Sequence, residues 1–234
     1  MDSLLLFSIP LFQPVYPETE KIPFGYTTEK EKLNLKTILS KSSLGYCMYC
    51  YKRIDVDGKN DGHLEHGIER QNSDKLSNCV PNIGISCATC NLSFKRRGEK
   101  KRKLSASSIQ RFENNAICPT CCATPCPALR KLQEECSQRP GSEILILPLG
   151  VYGPDSGAPL RLQYDVLKAQ FVPSTNYPYS DAEKAFIEKH ILRFNLNDTK
   201  YKTKELIEFI TEIVNNDGKI PRHTGNNLIV VLFS

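Results

Sequence analysis

The sequence predicts an α+β protein: a compact ββα unit braced by a structural zinc clip, flanked by helices, with a small C-terminal α+β region. Three observations predict it. Two Cys-x-x-Cys pairs, at Cys47 and Cys50 and at Cys87 and Cys90, bracket two short β candidates over 64–68 and 82–85. The stretch 88–103 reads as a helix with a heavily charged outer face. Beyond Pro140-Gly141 the character changes to isolated strand and helix signals.

The elements follow in order. Residues 1–26 are rich in Pro and aromatics without a clear period, an irregular arm that packs on something. Thr28 caps a helix over 29–42, with Leu33, Ile38 and Leu39 as a rough apolar stripe and Gly45 as the stop. This arm and helix occupy 1–44. Residues 45–140 hold the ββα unit, the cysteine clusters and the basic helix. Within them 47–50 is a tight knuckle, 55–62 a polar loop between short strands, and 107–116 and 128–137 two further short helices. Residues 141–234 form the C-terminal region, a partner or packing surface. It carries a strand over 144–149 and an alternating run over 160–172 that is one long strand or a hairpin. Asp181 caps a helix to about 193, a second helix covers about 203–215, and 228–233 is a terminal apolar run. There is no internal repeat.

The ten cysteines would suit a secreted disulfide protein, but their Cys-x-x-Cys spacing points to metal thiolates in a reducing cytosol. The patch at 4–7 is short, lacks a basic residue before it and lacks a small-residue cleavage site, so it reads as structure. No run approaches the ~20 apolar residues of a membrane span. Residues 1–140 carry 21 Lys/Arg against 15 Asp/Glu, and residues 141–234 carry 10 against 11. The basic excess therefore lies with the cysteines, where a polyanion would bind.

Cys47 and Cys50 are separated from Cys87 and Cys90 by 36 residues. Each pair can place two sulfurs on one ion, and two pairs complete a closed tetrahedral four-cysteine site with no open position for catalysis. Its role is structural, supplying folding free energy that a small unit cannot get from burial. Between the pairs, His63-Leu64-Glu65-His66 places a carboxylate beside an imidazole. His66 suits a base that deprotonates water, and Glu65 suits Mg2+ or Mn2+. Asn91 follows Cys90 and is a second oxygen ligand for that ion, while Lys95 shares its helical face and reaches a scissile phosphate. Asn82 sits where its amide could tie the hairpin together and orient His66. Taken singly, each of these residues has a plainer use, as a surface histidine, a zinc ligand or a helix cap. Their order inside the cysteine frame is what speaks for a cutting site.

On these residues the segment 45–103 resembles the HNH, or ββα-metal, nucleases with a tetracysteine zinc frame. The resemblance implies His66 as general base, Glu65 and Asn91 as ligands of the catalytic metal, and Asn82 as support for the base. Glu65 departs from the commoner Asp. Cys47-Met48-Tyr49-Cys50, the Glu-His pair and the Leu-Asn step at Leu196-Asn197 also resemble PtuB-like proteins of the Septu antiphage systems, including retron-linked ones. That narrower resemblance implies a bacterial cytoplasmic effector and a PtuA-like ATPase partner, in retrons within a reverse transcriptase complex.

Lys95, Arg96, Arg97, Lys100, Lys101, Arg102 and Lys103 put seven cations in nine positions, with Glu99 the only acid among them. Extending the helix that carries Asn91, they are expected to hold phosphates without reading sequence. Cys118, Cys121, Cys122, Cys126 and Cys136 form a second cluster, either a second zinc site on any four of the five, with Cys118, Cys121, Cys126 and Cys136 the favoured set, or buried thiols of a small core. Cys79 reads as a loop or core cysteine. His190 and His223 lack a partner at useful spacing, and Ala182, Ala185 and Phe186, extended by the stem of Lys189, form an apolar stripe that is either core packing or a partner face. The reading is a metal-dependent endonuclease on DNA or RNA. The alternative is a zinc-stabilised nucleic-acid-binding module without catalysis.

Overall fold

A computed structural model describes residues 6–9, 12–18, 21–116, 125–145, 148, 150–165, 168 and 170–198. The expected helix over 203–215, the apolar run over 228–233, His223, Cys118, Cys121 and Cys122 lie outside them. The chain is a mixed α+β protein of small sheets and several helices.

The N-terminal arm supplies a strand, β1 (Leu6–Ser8). Helix α1 (Glu29–Ser42) starts where Thr28 predicts, and the cap is reciprocal. The Thr28 hydroxyl accepts from the Glu31 amide at 3.2 Å, and the Glu31 carboxylate accepts from the Thr28 amide at 2.9 Å. Its buried face is set by Leu35 and Leu39; Leu33 is 64% exposed and leaves the expected stripe. The chain reverses at Leu44 (φ 54°) and Gly45 (φ 78°), so the stop spans both residues.

The polar 55–62 segment is a small hairpin of β2 (Asp55–Val56) and β3 (Lys59–Asn60). Asp57 (φ 52°) and Gly58 (φ 75°) turn it, as an Asp-Gly pair does in a type I′ turn. Next, β4 (His63–His66) is followed by the short α2 (Asp74–Ser77), and β5 (Ile83–Ser86) pairs antiparallel with β4. Glu65 stands opposite Gly84 and His66 opposite Ile83. Helix α1 packs on this hairpin.

The continuous helix expected over 88–103 is not formed. A π-helical turn covers Cys90–Phe94, Gly98 takes φ 78°, and a 3-10 turn follows over Glu99–Arg102. The break has a reason in Arg102, which is 2% exposed. Its guanidinium donates to the carbonyls of Lys95 and Arg97, oxygens that an unbroken helix would keep for its own amides. The chain continues with α3 (Ala106–Asn115), capped by Ser105, and α4 (Pro127–Ser137), which pack on each other.

Ile144 and Leu145 are buried but form no strand, which corrects the described part of the strand expected there. The alternating run is a hairpin of β6 (Leu162–Asp165) and β7 (Gln170–Pro173), and β1 pairs with β6, giving the antiparallel order β1-β6-β7. Helix α5 (Asp181–Arg193) is capped by Ser180 rather than Asp181. Its buried residues are Glu183, Ile187, His190 and Ile191; of the expected stripe, Phe186 packs half-buried against the core, Ala185 is half-buried and Ala182 is exposed. The buried face meets the cysteine knuckle, where Tyr49 stacks on Phe194 with centroids 4.6 Å apart. Among the described residues no helix is long and apolar enough to cross a membrane.

Candidate functional site

The hairpin β4–β5 and the turn that follows it carry two groups of chemistry on one frame. The Sγ atoms of Cys47, Cys50, Cys87 and Cys90 all lie within 4.8 Å of one another. Cys50 Sγ is 3.7 Å from Cys87 Sγ. A disulfide would need about 2.05 Å. Thiolates about 2.3 Å from a tetrahedral zinc stand roughly 3.8 Å apart. The backbone builds this spacing: the Met48 amide donates to Ile85 O at 3.1 Å, tying the knuckle to β5, and the Cys90 amide points at Cys87 Sγ at 3.5 Å. Four thiolates so close repel, and a cation is what lets them ionise together. The set could hold a metal such as zinc, and it is the one such group among the described residues.

Of the second cysteine cluster, Cys118, Cys121 and Cys122 lie outside the described residues, and the two described members cannot share one ion. Cys126 precedes the first turn of α4 and Cys136 lies in its last turn. Ten residues of helix separate them by about 15 Å, too far for both sulfurs to reach one ion. Both are buried, as is Cys79.

The same hairpin and turn also line a cleft of about 330 Å³. Glu65, His66, Asn91 and Lys95 all line it, together with Arg70 and Arg96. Glycine at position 84 leaves the space opposite Glu65 free of a side chain. The sequence thus brings four of its chemical residues to one place, and their roles in the structure differ from the expectations.

Glu65 is buried, and both its oxygens are engaged: one accepts from the Tyr49 hydroxyl, the other pairs with the Lys95 ammonium. Burial pushes its carboxyl up, while Lys95 and Tyr49 pull it back down. Lys95 is 5% exposed and also donates to the carbonyl of His66. It therefore faces inward rather than toward a phosphate. Oxygen donors such as Glu65 and Asn91 suit a hard cation, but an ion on Glu65 would have to take the place of Lys95.

His66 packs edge-on against Tyr26, with ring centroids 4.7 Å apart. Its Nε2 lies 3.0 Å from Ser77 O. A carbonyl oxygen only accepts, so Nε2 carries the hydrogen and Nδ1 keeps its lone pair. Burial holds the imidazole down to about 4, with Lys95 and Arg70 adding to the effect, so the ring is neutral above that pH. The group that orients His66 is thus the Ser77 carbonyl. Asn82, assigned that task from sequence, instead brackets Ile68: its Oδ1 accepts from the Ile68 amide at 2.8 Å and its Nδ2 donates to Ile68 O at 2.9 Å. The tie across the hairpin is there; contact with the base is not.

The basic run divides. Arg96, Arg97, Lys100, Lys101 and Lys103 are exposed, with the Arg97 guanidinium over the Phe94 ring at 4.8 Å. Arg102 is corrected from a phosphate contact to a strut: it pairs with Glu69 at 2.6 Å and donates to Gly141 O at 3.1 Å. Tyr49, Ser77 and Arg70 are the site residues that the sequence reading missed. Tyr49 had a signal, an aromatic inside a Cys-x-x-Cys knuckle; a backbone carbonyl such as that of Ser77 has none. No family model, curated protein or solved structure matches the chain.

Proposed function

We propose that the chain is an endonuclease with an HNH-like ββα core, hydrolysing phosphodiester bonds of DNA or RNA. The observation that carries the reading is the neutral His66 with an unprotonated Nδ1, set in one cleft with Glu65, Asn91 and two further cations, on the same hairpin and turn that carry the tetracysteine cluster. In the reaction, Nδ1 takes a proton from water, the water oxygen bonds to phosphorus, and the P–O bond to the sugar breaks. Arg70 and Arg96 hold the phosphate, and its negative charge raises the proton affinity of His66 when it is needed. Glu65 and Asn91 are the residues that would hold a Mg2+ or Mn2+ ion, which when bound supplies positive charge to the departing oxygen. Lys95 holds that place on Glu65 otherwise. The cysteines hold zinc in a structural role. The exposed cations from Arg96 to Lys103 position the strand through its backbone. The PtuB-like features support a role as the effector of an antiphage defence system, with a PtuA-like ATPase as partner and a bacterial cytoplasmic setting.

The buried ion pair of Glu65 with Lys95 favours the second reading, a nucleic-acid-binding module that does not cut. One experiment separates the two. The full chain, alone and with its ATPase partner, is incubated with supercoiled plasmid and with total RNA, with Mg2+, Mn2+ or EDTA. Cutting that His66→Ala abolishes, in a variant with an unchanged unfolding temperature, supports the nuclease. Binding without cutting in every condition, or full cutting by His66→Ala, contradicts it.

A further inference from the structure

The cleft that holds His66 is not polar throughout. Tyr26, Leu64 and Leu92 line it beside Arg70 and Arg96. Unlike the apolar residues of the core, these three keep accessible surface: Tyr26 and Leu64 are half-buried, and Leu92 is 49% exposed. Leu92 follows Asn91 on the π-helical turn. Tyr26 comes from the N-terminal arm, outside the 45–103 segment, and its ring centroid is 4.7 Å from that of His66. Its place is fixed before any ligand arrives. The Gly25 amide donates to Glu31 O at 3.4 Å, and the Thr27 and Thr28 amides donate to the Glu31 carboxylate at 3.2 and 2.9 Å. The chain on both sides of Tyr26 is therefore tied to the first turn of α1. An aromatic ring and an exposed leucine thus share one cleft with His66 and two cations.

Resting on the endonuclease reading of this cleft, we propose that it takes an unpaired nucleic-acid strand, with the base next to the scissile phosphate set against Tyr26 and Leu92. The cleft is divided as a nucleotide is: Arg70 and Arg96 match the phosphate, and the apolar side chains match a base face. In a duplex each base face is covered by its neighbours in the stack, and a protein meets only base edges from the grooves. A face reaches a protein ring where the strand is unpaired and its bases can splay out. Tyr26 touches His66, so the base it holds belongs to a nucleotide adjoining the attacked phosphorus. The Lys32 ammonium lies 5.1 Å from the Tyr26 ring centroid. A base stacks on an aromatic ring more strongly than a solvated cation sits over one, so the base displaces Lys32.

Fluorescence anisotropy of the full chain in EDTA tests the proposal. The probes are a labelled, non-self-complementary strand of DNA or of RNA, the same strand annealed to its complement, and an abasic DNA backbone. At least one unpaired strand binds about tenfold tighter than its duplex and than the abasic backbone, the gain expected of one stacked base. Comparison of the DNA and RNA strands identifies the sugar. Tyr26→Leu and Leu92→Ser each weaken binding of the unpaired strand severalfold and leave the duplex unchanged. Tyr26→Phe, which keeps the ring, binds as the parent does. Leu92 lies at the surface, so Leu92→Ser carries the test if Tyr26→Leu does not fold. Duplex or abasic backbone bound as tightly as the unpaired strand overturns the proposal. So does absence of binding, or unchanged affinity in Leu92→Ser and folded Tyr26→Leu. Because EDTA removes the cutting step, the two readings fail separately. Preference for the unpaired strand without any cutting in Mg2+ or Mn2+ upholds this inference and removes the endonuclease, whereas cutting with equal affinity for duplex removes this inference alone.

Discussion

The tetracysteine cluster and the cleft are built from the same three pieces, the knuckle, the β4–β5 hairpin and the turn after it, yet they teach opposite lessons. In the cluster, function is fixed by spacing. Two residues between cysteines bring their sulfurs together, and the bond from the Met48 amide to Ile85 O holds the knuckle against β5, so that the four sulfurs lie within 4.8 Å of one another. In the cleft, residues arrive where the spacing suggests, but their bonds are decided by distant neighbours. Glu65 is claimed by Tyr49 and Lys95, and His66 by the carbonyl of Ser77. A metal clip needs only like ligands at equal distance; a catalytic site needs each donor matched to its acceptor.

The sharpest way to break the contrast is at the cluster. Cys87→Ser removes one of four sulfurs, where a structural zinc contributes on the order of 10 kcal/mol. The expected outcome is loss of cooperative unfolding, read by circular dichroism, together with a fall in the metal content that elemental analysis reads relative to the parent protein. A folded, zinc-free Cys87→Ser protein would make the cluster a packing feature only.

In the cleft, Lys95→Met leaves the buried Glu65 carboxylate without its cation. Breaking a buried pair in this way costs roughly 3–5 kcal/mol. The double variant Lys95→Met with Glu65→Gln should recover most of it, measured by denaturant titration. Added Mg2+ should raise the unfolding temperature of Lys95→Met more than that of the parent, since the ion can then reach Glu65. Equal Mg2+ shifts in both proteins would remove Glu65 as a cation ligand.

A smaller effect is expected with acid. Burial holds the His190 imidazole down to about 3, with Arg193 adding to it, and its Nδ1 accepts from the Leu145 amide at 3.0 Å. An unfolded histidine titrates near 6.5. Below about pH 6.5 the unfolded chain takes up a proton that the folded chain refuses, so stability falls as pH drops toward 3. At pH 5 the loss is about 2 kcal/mol. His190→Gln, whose amide oxygen can accept the same N–H, should flatten that part of the acid limb when midpoints at pH 7 and pH 5 are compared. The smallest change is at the β2–β3 turn: Gly58→Ala places a side chain at φ 75° in open space, costing about 1 kcal/mol.

Much of this was legible in the sequence where the signal is local. The Thr28 cap with Glu31, the cysteine spacing, and the boundaries of α3, α4 and α5 all follow from residues within one turn of each other. What was not legible depends on tertiary contact. The helix over 88–103 is broken because Arg102 draws backbone carbonyls to itself, and its partner Glu69 lies 33 residues away. Leu33 faces out because Leu35 and Leu39 meet the hairpin. Ser77 rather than Asn82 orients His66, and a backbone carbonyl leaves no trace in composition. Asp57-Gly58 was a readable hairpin turn, and the polar character of its surroundings hid it.

The proposed chemistry depends on His66 offering a bare Nδ1. Nitrogen-15 NMR of the histidine rings, assigned by comparison with His66→Ala, reads that directly. A neutral ring protonated only at Nε2 at pH 6 is the predicted result. A ring carrying both protons at pH 6, or one protonated at Nδ1, would contradict it.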